Sequence, residues 1–288
     1  MPQPRPIGAR RDGFAPIGDY AAIGDGRTVA LVASDAAIDW LPLPTIDAPP
    51  SFAALLDPEK GGSIRIDPEG ATRVVRRYVE DTNVLETTLH SESGSVRITD
   101  SLNVGDAGRL PWNELVRRIE GVEGTVDVRW EVAVGNRFDS AQPWACRRGE
   151  AALIRIADQM MAVTGRGLGE SGVDGHRVTG SFEARAGSRH LLVVSSTDGE
   201  PVPAPPADEA EARLEATIEA WRRWCRKLPD GGRWAEAVRR SALALKLLIH
   251  APTGAIAAAP TTSLPERIGA GRNYDYRFAW VRDMSFVV

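Results

Sequence analysis

The sequence predicts a mainly β protein, an N-terminal antiparallel β-sandwich, with helices confined to its last third. Three observations carry that expectation. Val126, Val128, Trp130, Val132 and Val134 alternate with polar or small residues, the two-residue period of a strand with one buried face. Shorter runs at Ile64 and Ile66, at Val96 and Ile98, and at Leu153, Ile154 and Ile156 follow the same rule. Turn signals separate them with no helix between, at Asp67-Pro68-Glu69-Gly70, Ser93-Gly94, Glu123-Gly124, Arg148-Gly149 and Ala186-Gly187.

In chain order, residues 1–16 are rich in Pro and Arg and are expected to form a flexible N-terminus. Residues 17–199 make up the expected sandwich domain. Within it, Thr28 to Ala33 and Ala37 to Leu41 are apolar runs joined around Ser34 and Asp35, a hairpin signal. The stretch EPVPAPP follows; its prolines remove backbone donors and favour an extended chain, so residues 200–207 read as a linker. Asp208 then caps a helix whose apolar positions Leu214, Ile218, Trp221, Trp224 or Cys225, and Leu228 recur every three or four residues. Arg222, Arg223 and Arg226 fall on its solvated side. Pro229 to Gly232 end it, and a second helix is expected from about Arg233 to His250, burying Trp234, Val238, Ala242, Leu245, Leu248 and Ile249. Residues 208–288 form the helical part.

Composition excludes several classes. With 35 basic and 39 acidic residues and a net charge of -4, no basic stripe calls for nucleic acid. No run approaches the roughly 20 apolar residues of a membrane span, and MPQPRPIGARRDGF lacks the apolar core of a secretory signal; a cytoplasmic location is expected. Cys146 and Cys225 lie outside any CxxC pattern and fit reduced thiols or a single disulfide. His90, His176, His190 and His250 share no ligand spacing, so neither a metal nor a cofactor is expected. Gly165, Gly167 and Gly169 suggest a nucleotide fingerprint, but no strand-turn-helix surrounds them and a mobile loop is the expectation.

The last stretch, PTTSLPERIGAGRNYDYRFAWVRDMSFVV, is where chemistry concentrates. Tyr274, Tyr276, Phe278 and Trp280 are interleaved with Arg272, Arg277, Arg282, Asp275 and Asp283. In an extended segment Tyr276, Trp280 and Arg282 would share a face. Aromatic rings beside a guanidinium and a carboxylate suit a polyhydroxylated ligand, the rings covering the C–H face of a sugar and the charges binding its hydroxyls. The same residues would equally serve as a buried ion-pair network stapling a loop to a core.

This segment resembles the signature of glycoside hydrolase family 15, the glucoamylase and trehalase-like enzymes, which in its bacterial form reads PTTSLPE, a Gly-rich turn and RNWDYRYxWxRD. Ala270, Tyr274 and Phe278 stand where Gly, Trp and Tyr are usual; each keeps size or aromatic character, so they bear on substrate preference more than on membership. The opening IGDYAAIGDGRTVALVASDAAIDWLPL is similar to the family's N-terminal pattern as well. The resemblance implies that the chain ends in the first helices of an incomplete six-fold α/α barrel. It implies an α-glucoside or trehalose-type substrate, with Tyr276, Trp280, Arg282 and Asp283 binding the terminal sugar and Arg272 and Asp275 holding the loop behind them. It implies inversion by two glutamates on later barrel loops beyond Val288, so this chain holds no catalytic acid or base, and Glu266 is expected to be structural. Helices with apolar faces and no barrel to cover them should promote association between copies. A non-catalytic carbohydrate-binding remnant is the alternative. A phosphorylase is a weaker one, with no phosphate-binding loop to support it.

Overall fold

The computed structural model describes residues 3–104, 110–262, 271–281 and 285. Sixteen strands and two α-helices lie among them. The strands are β1 (Arg5–Pro6), β2 (Ala21–Gly24), β3 (Val29–Val32), β4 (Ile38–Pro42), β5 (Pro50–Phe52), β6 (Gly62–Pro68), β7 (Arg73–Tyr78) and β8 (Leu85–His90). They continue with β9 (Gly94–Leu102), β10 (Asn113–Val134), β11 (Trp144–Arg148), β12 (Ala151–Ile156), β13 (Gln159–Arg166), β14 (Ser171–Asp174), β15 (Arg177–Arg185) and β16 (Arg189–Asp198). The helices α1 (Ala207–Cys225) and α2 (Ala235–Leu248) follow.

All of the strand pairings are antiparallel and the sheet has two branches that meet in β10. The first half of β10, from Asn113, pairs with β9 and β16; the second half, from Thr125, pairs with β15 and β6. The turn expected at Glu123-Gly124 is therefore not a turn. The register against β9 shifts between Gly121 and Glu123, and Gly124 takes φ +64° while a Cβ there would sit 2.0 Å from the Ser93 carbonyl. Glycine is needed on both counts. The bulge bends one continuous strand out of one branch and into the other.

Ile64, Ile66, Ile98, Ile119, Val126, Val128, Val132, Ile154, Leu192 and Val194 share a single apolar core with residues of both branches. Arg117 and Asp100, opposite each other on the neighbouring strands β10 and β9 and both fully buried, pair at 2.7 Å. Further Arg117 donors reach the carbonyls of Ile64 and Ala36, so each of the three guanidinium nitrogens of this buried charge makes a hydrogen bond.

The outer face of the central strands is buried too. Leu191 and Val193 of β16 and Val116 of β10 join Leu214, Ile218, Trp221 and Cys225 of α1 and Leu243 and Leu247 of α2 in a second cluster. Residues 191–194 thus form a continuous apolar run because they face protein on both sides. The α1 periodicity read from the sequence matches its buried face, and Arg222, Arg223 and Arg226 are exposed.

Two expectations need correction. Asp208 does not cap α1: Pro206 occupies the N-cap, and Asp208 lies in the first turn with its carboxylate on Arg166, a placement the helix dipole still favours. The buried side of α2 is Leu243 and Leu247, whereas Trp234, Val238 and Leu245 are exposed. This helix carries two apolar stripes, and the sheet takes the narrower one. Near the N-terminus, β1 pairs with β7 and Arg10 with Asp35 and Asp39.

Among the described residues no helix is long and apolar enough to cross a membrane, and no group of three His, Cys, Asp or Glu residues could hold a metal ion. Cys146 and Cys225 are free thiols.

Candidate functional site

The aromatic-rich segment pairs through short bridges with residues 257–262, which follow α2. Ala258 and Ala259 donate to the carbonyls of Phe278 (3.1 Å) and Tyr276 (2.8 Å), and Ala257 bridges Ala279. Further along, Thr262 bridges Asp275. From the β side, the fully buried Trp40 of β4 donates its indole N–H to the Pro260 carbonyl at 2.9 Å.

Arg277 is the anchor. Its guanidinium is 7% exposed and forks onto both Asp275 oxygens at 2.7–3.2 Å. Its other arm donates to the carbonyls of Ile46 (3.2 Å) and Ala48 (2.6 Å), and the group lies 5.8 Å from the Trp40 ring centroid. The Arg277 backbone N–H adds a bond to Asp275. Burial pushes the Asp275 carboxyl up, but the hydrogen bonds and charge of Arg277 outweigh it, and the group titrates below the usual carboxylate range.

This ion pair bends the chain. Residues 276–278 form a turn, not the extended segment expected. Tyr276 and Trp280 come together all the same: their rings stack with centroids 5.8 Å apart and planes 8° from parallel, Tyr276 half-buried and Trp280 40% exposed. Arg272 is exposed at the start of the segment. Arg282, Asp283 and Glu266 lie outside the described residues. Arg277 escaped sequence reasoning as an anchor because its partners on the β side are backbone carbonyls, which leave no mark on residue type.

On the same segment, Tyr274, Asn273 and Asp275 form one wall of a cleft of about 650 Å³ whose other walls include Phe14, Leu55 and Phe138. In the N-terminal part, Tyr20 donates to Asp39 at 2.7 Å and Arg10 pairs with the same carboxylate oxygen at 2.9 Å. Burial first, and then the Asp39 charge, push the Tyr20 hydroxyl far above its usual value, so it remains a donor. The glycines 165, 167 and 169 lie elsewhere, with Gly165 inside β13 and Leu168 accepting the Trp130 indole N–H at 2.9 Å. Their role is close packing: a Cβ on Gly165 would meet the Leu191 carbonyl at 2.0 Å.

Residues 10–145 match the family model described as trehalase-like, N-terminal, and residues 232–288 match that of glycosyl hydrolases family 15. The chain is 31% identical to a trehalase of Mycolicibacterium smegmatis, with 96% of this chain and 45% of that protein covered. It is 30% identical to a trehalase of Thermoplasma volcanium, with 96% and 44% covered. It therefore spans less than half the length of these curated relatives. A bacterial glucoamylase solved in complex with acarbose shares the fold, with a TM-score of 0.61 over 98% of this chain and 49% of that one at 15% identity.

Proposed function

Because the chain belongs to glycoside hydrolase family 15, we propose that it supplies the β-rich part and the terminal-sugar segment of an inverting hydrolase of α-glucosidic bonds, trehalose-type by its relatives. The observation that carries this is the stacked pair Tyr276 and Trp280, partly open to solvent on a segment that Arg277 pins to the β-rich part.

The stack offers an apolar face to the C–H side of a pyranose ring. Arg282 and Asp283 then bind its hydroxyls, and Arg272 and Asp275 hold the loop, Asp275 through its fork with Arg277. Holding the sugar in one pose orients it for attack. Inversion further requires a protonated carboxyl at the leaving oxygen and an ionised one to activate water, roughly 6.5–9.5 Å apart. On this reading both are glutamates beyond Val288, and residues 1–288 alone do not hydrolyse. The two sheet branches form a sandwich domain over residues 17–199, residues 200–207 link it onward, and residues 208–288 open an α/α barrel whose later helices cover Trp234, Val238 and Leu245.

The test is a glucose-release assay with trehalose and maltose, run beside a binding titration. The 288-residue chain is expected to bind sugar and release no glucose, with Trp280→Ala weakening binding. Release that disappears with Glu266→Gln or Asp275→Asn would overturn the assignment.

A further inference from the structure

We propose that the β-rich part carries a binding site for a small zwitterion, an apolar α-amino acid or its dipeptide, in the cleft between the β11–β12 turn and the loop from β13 to β14. No residue of the aromatic-rich segment lines this cleft. Trp130 aside, its lining comes from residues 147–178, between the two stretches that the family models match.

The cleft holds about 680 Å³, within the roughly 300–1,000 Å³ of small-molecule sites. Its floor belongs to the core: Trp130 of β10, Val163 of β13 and Val178 of β15 are 3%, 3% and 1% exposed. Side chains that reach backbone tie the walls in place. Trp130 donates its indole N–H to the Leu168 carbonyl at 2.9 Å, His190 bonds the Gly167 carbonyl through Nδ1 at 2.6 Å, and Arg147 crosses to the carbonyl and hydroxyl of Ser171. Gly167 and Gly169 take φ of 69° and 70°, and a Cβ on Gly169 would meet the Ser181 carbonyl at 1.9 Å. The glycine-rich stretch is therefore a tied wall, and the cleft is formed before any ligand arrives.

Arg147, Glu150 and Glu170 stand exposed around this floor. Among the described residues neither glutamate makes an ion pair, and Arg147 spends only Nη2, on Ser171. Arg166 and Arg177, close by in the chain, are by contrast paired with Asp208 and Glu211 and with Glu131. Charges of both signs around an apolar floor complement a molecule with a carboxylate, an ammonium group and an apolar side chain. Arg147 takes the carboxylate, the glutamates take the ammonium, and the side chain rests on Val163 and Val178.

Two other classes fit worse. A nucleotide, which the glycine spacing suggests, would set its phosphates against two carboxylates with a single guanidinium to offset them. A sugar calls for an open aromatic face, and the Trp130 ring lies against Gly180, where a Cβ would come within 2.6–2.7 Å of it.

Titration calorimetry of the 288-residue chain with L-leucine, L-leucyl-L-leucine and glucose tests this, the NMR shifts of the residue 165–171 amides locating the site. At least one leucine probe is expected to bind and to move those amides, while glucose leaves them in place. The double variant Glu150→Gln, Glu170→Gln should weaken that probe about tenfold, and Arg147→Met should do the same. The C-terminal amide of the probe, which lacks the carboxylate, should bind the parent more weakly and be indifferent to Arg147→Met. If neither probe binds, or the shifts fall elsewhere, the site does not exist. If glucose moves the same amides, the cleft takes polyols and the proposal fails. If Arg147→Met weakens probe and amide equally, Arg147 is a strut on Ser171 and not the carboxylate's partner, which also overturns the assignment.

Discussion

Arg277 donates to the backbone carbonyl of Ala48, 229 residues earlier in the chain, at 2.6 Å. That bond, its companion to Ile46 and the fork to Asp275 hold the aromatic segment on the β-rich part. Arg277→Ala leaves a half-buried carboxylate and two carbonyls without their donor, and should loosen the segment by about 2 kcal/mol, a value kept modest because Asp275 retains some solvent. Arg277→Lys keeps the charge but not the fork and should recover only part of this. Hydrogen exchange at the amides of Ala258 and Ala259, which bond to Phe278 and Tyr276, is the readout; unchanged protection would count against the anchor.

The anchor should also respond to acid. The Asp275 carboxyl is depressed in the folded state, so its contribution is complete above the unfolded value of about 3.9 and is lost as pH falls through the lower folded value. Near-ultraviolet circular dichroism should show this as an acid transition in the tryptophan region that Asp275→Asn removes. A transition of the same size in the variant points to another carboxylate.

The two apolar stripes of α2 should separate cleanly in urea. Leu243→Ala and Leu247→Ala truncate side chains that are 2% and 5% exposed, each at a cost of about 2–4 kcal/mol. Leu245→Ala and Val238→Ala alter exposed positions and should change stability by about 0.5 kcal/mol or less. The reverse order would mean that the helix sits rotated on the sheet.

Glycine at position 124 should be nearly irreplaceable. Gly124→Ala meets both the left-handed φ and the Ser93 carbonyl at 2.0 Å, and should cost about 3 kcal/mol. Gly149→Ala, also at positive φ but with nothing within 4 Å, should cost about 1 kcal/mol. Paired denaturation curves give the difference.

Position 124 also shows where sequence reading stops. Val126 to Val134 betray a strand because their alternation reports one buried face, and the α1 stripe reports its own. A glycine at positive φ, however, serves a turn and a bulge equally well, and only the partners on either side tell them apart. The α2 face was misassigned for a similar reason: two apolar stripes share one helix, and the pattern does not say which neighbour exists. The ion-pair staple, one of two readings open from the sequence, is realised by Arg277 and Asp275, while Tyr276 and Trp280 are nevertheless brought ring to ring. Phe14 and Phe138 carried no signal, because a cleft assembled from distant loops has no period.

The shared strand β10 has a consequence for anyone dividing this chain. A cut at Gly124 leaves both products with raw edges: β9 keeps the first half of β10 and β15 keeps the second, while β16 and β6 lose theirs to the other product, and such edges invite pairing with other copies. Excision of either branch should therefore yield aggregates. Two co-expressed halves broken before Pro111, which is exposed and outside the strands, leave β10 whole and offer the better prospect of reassembling a native particle.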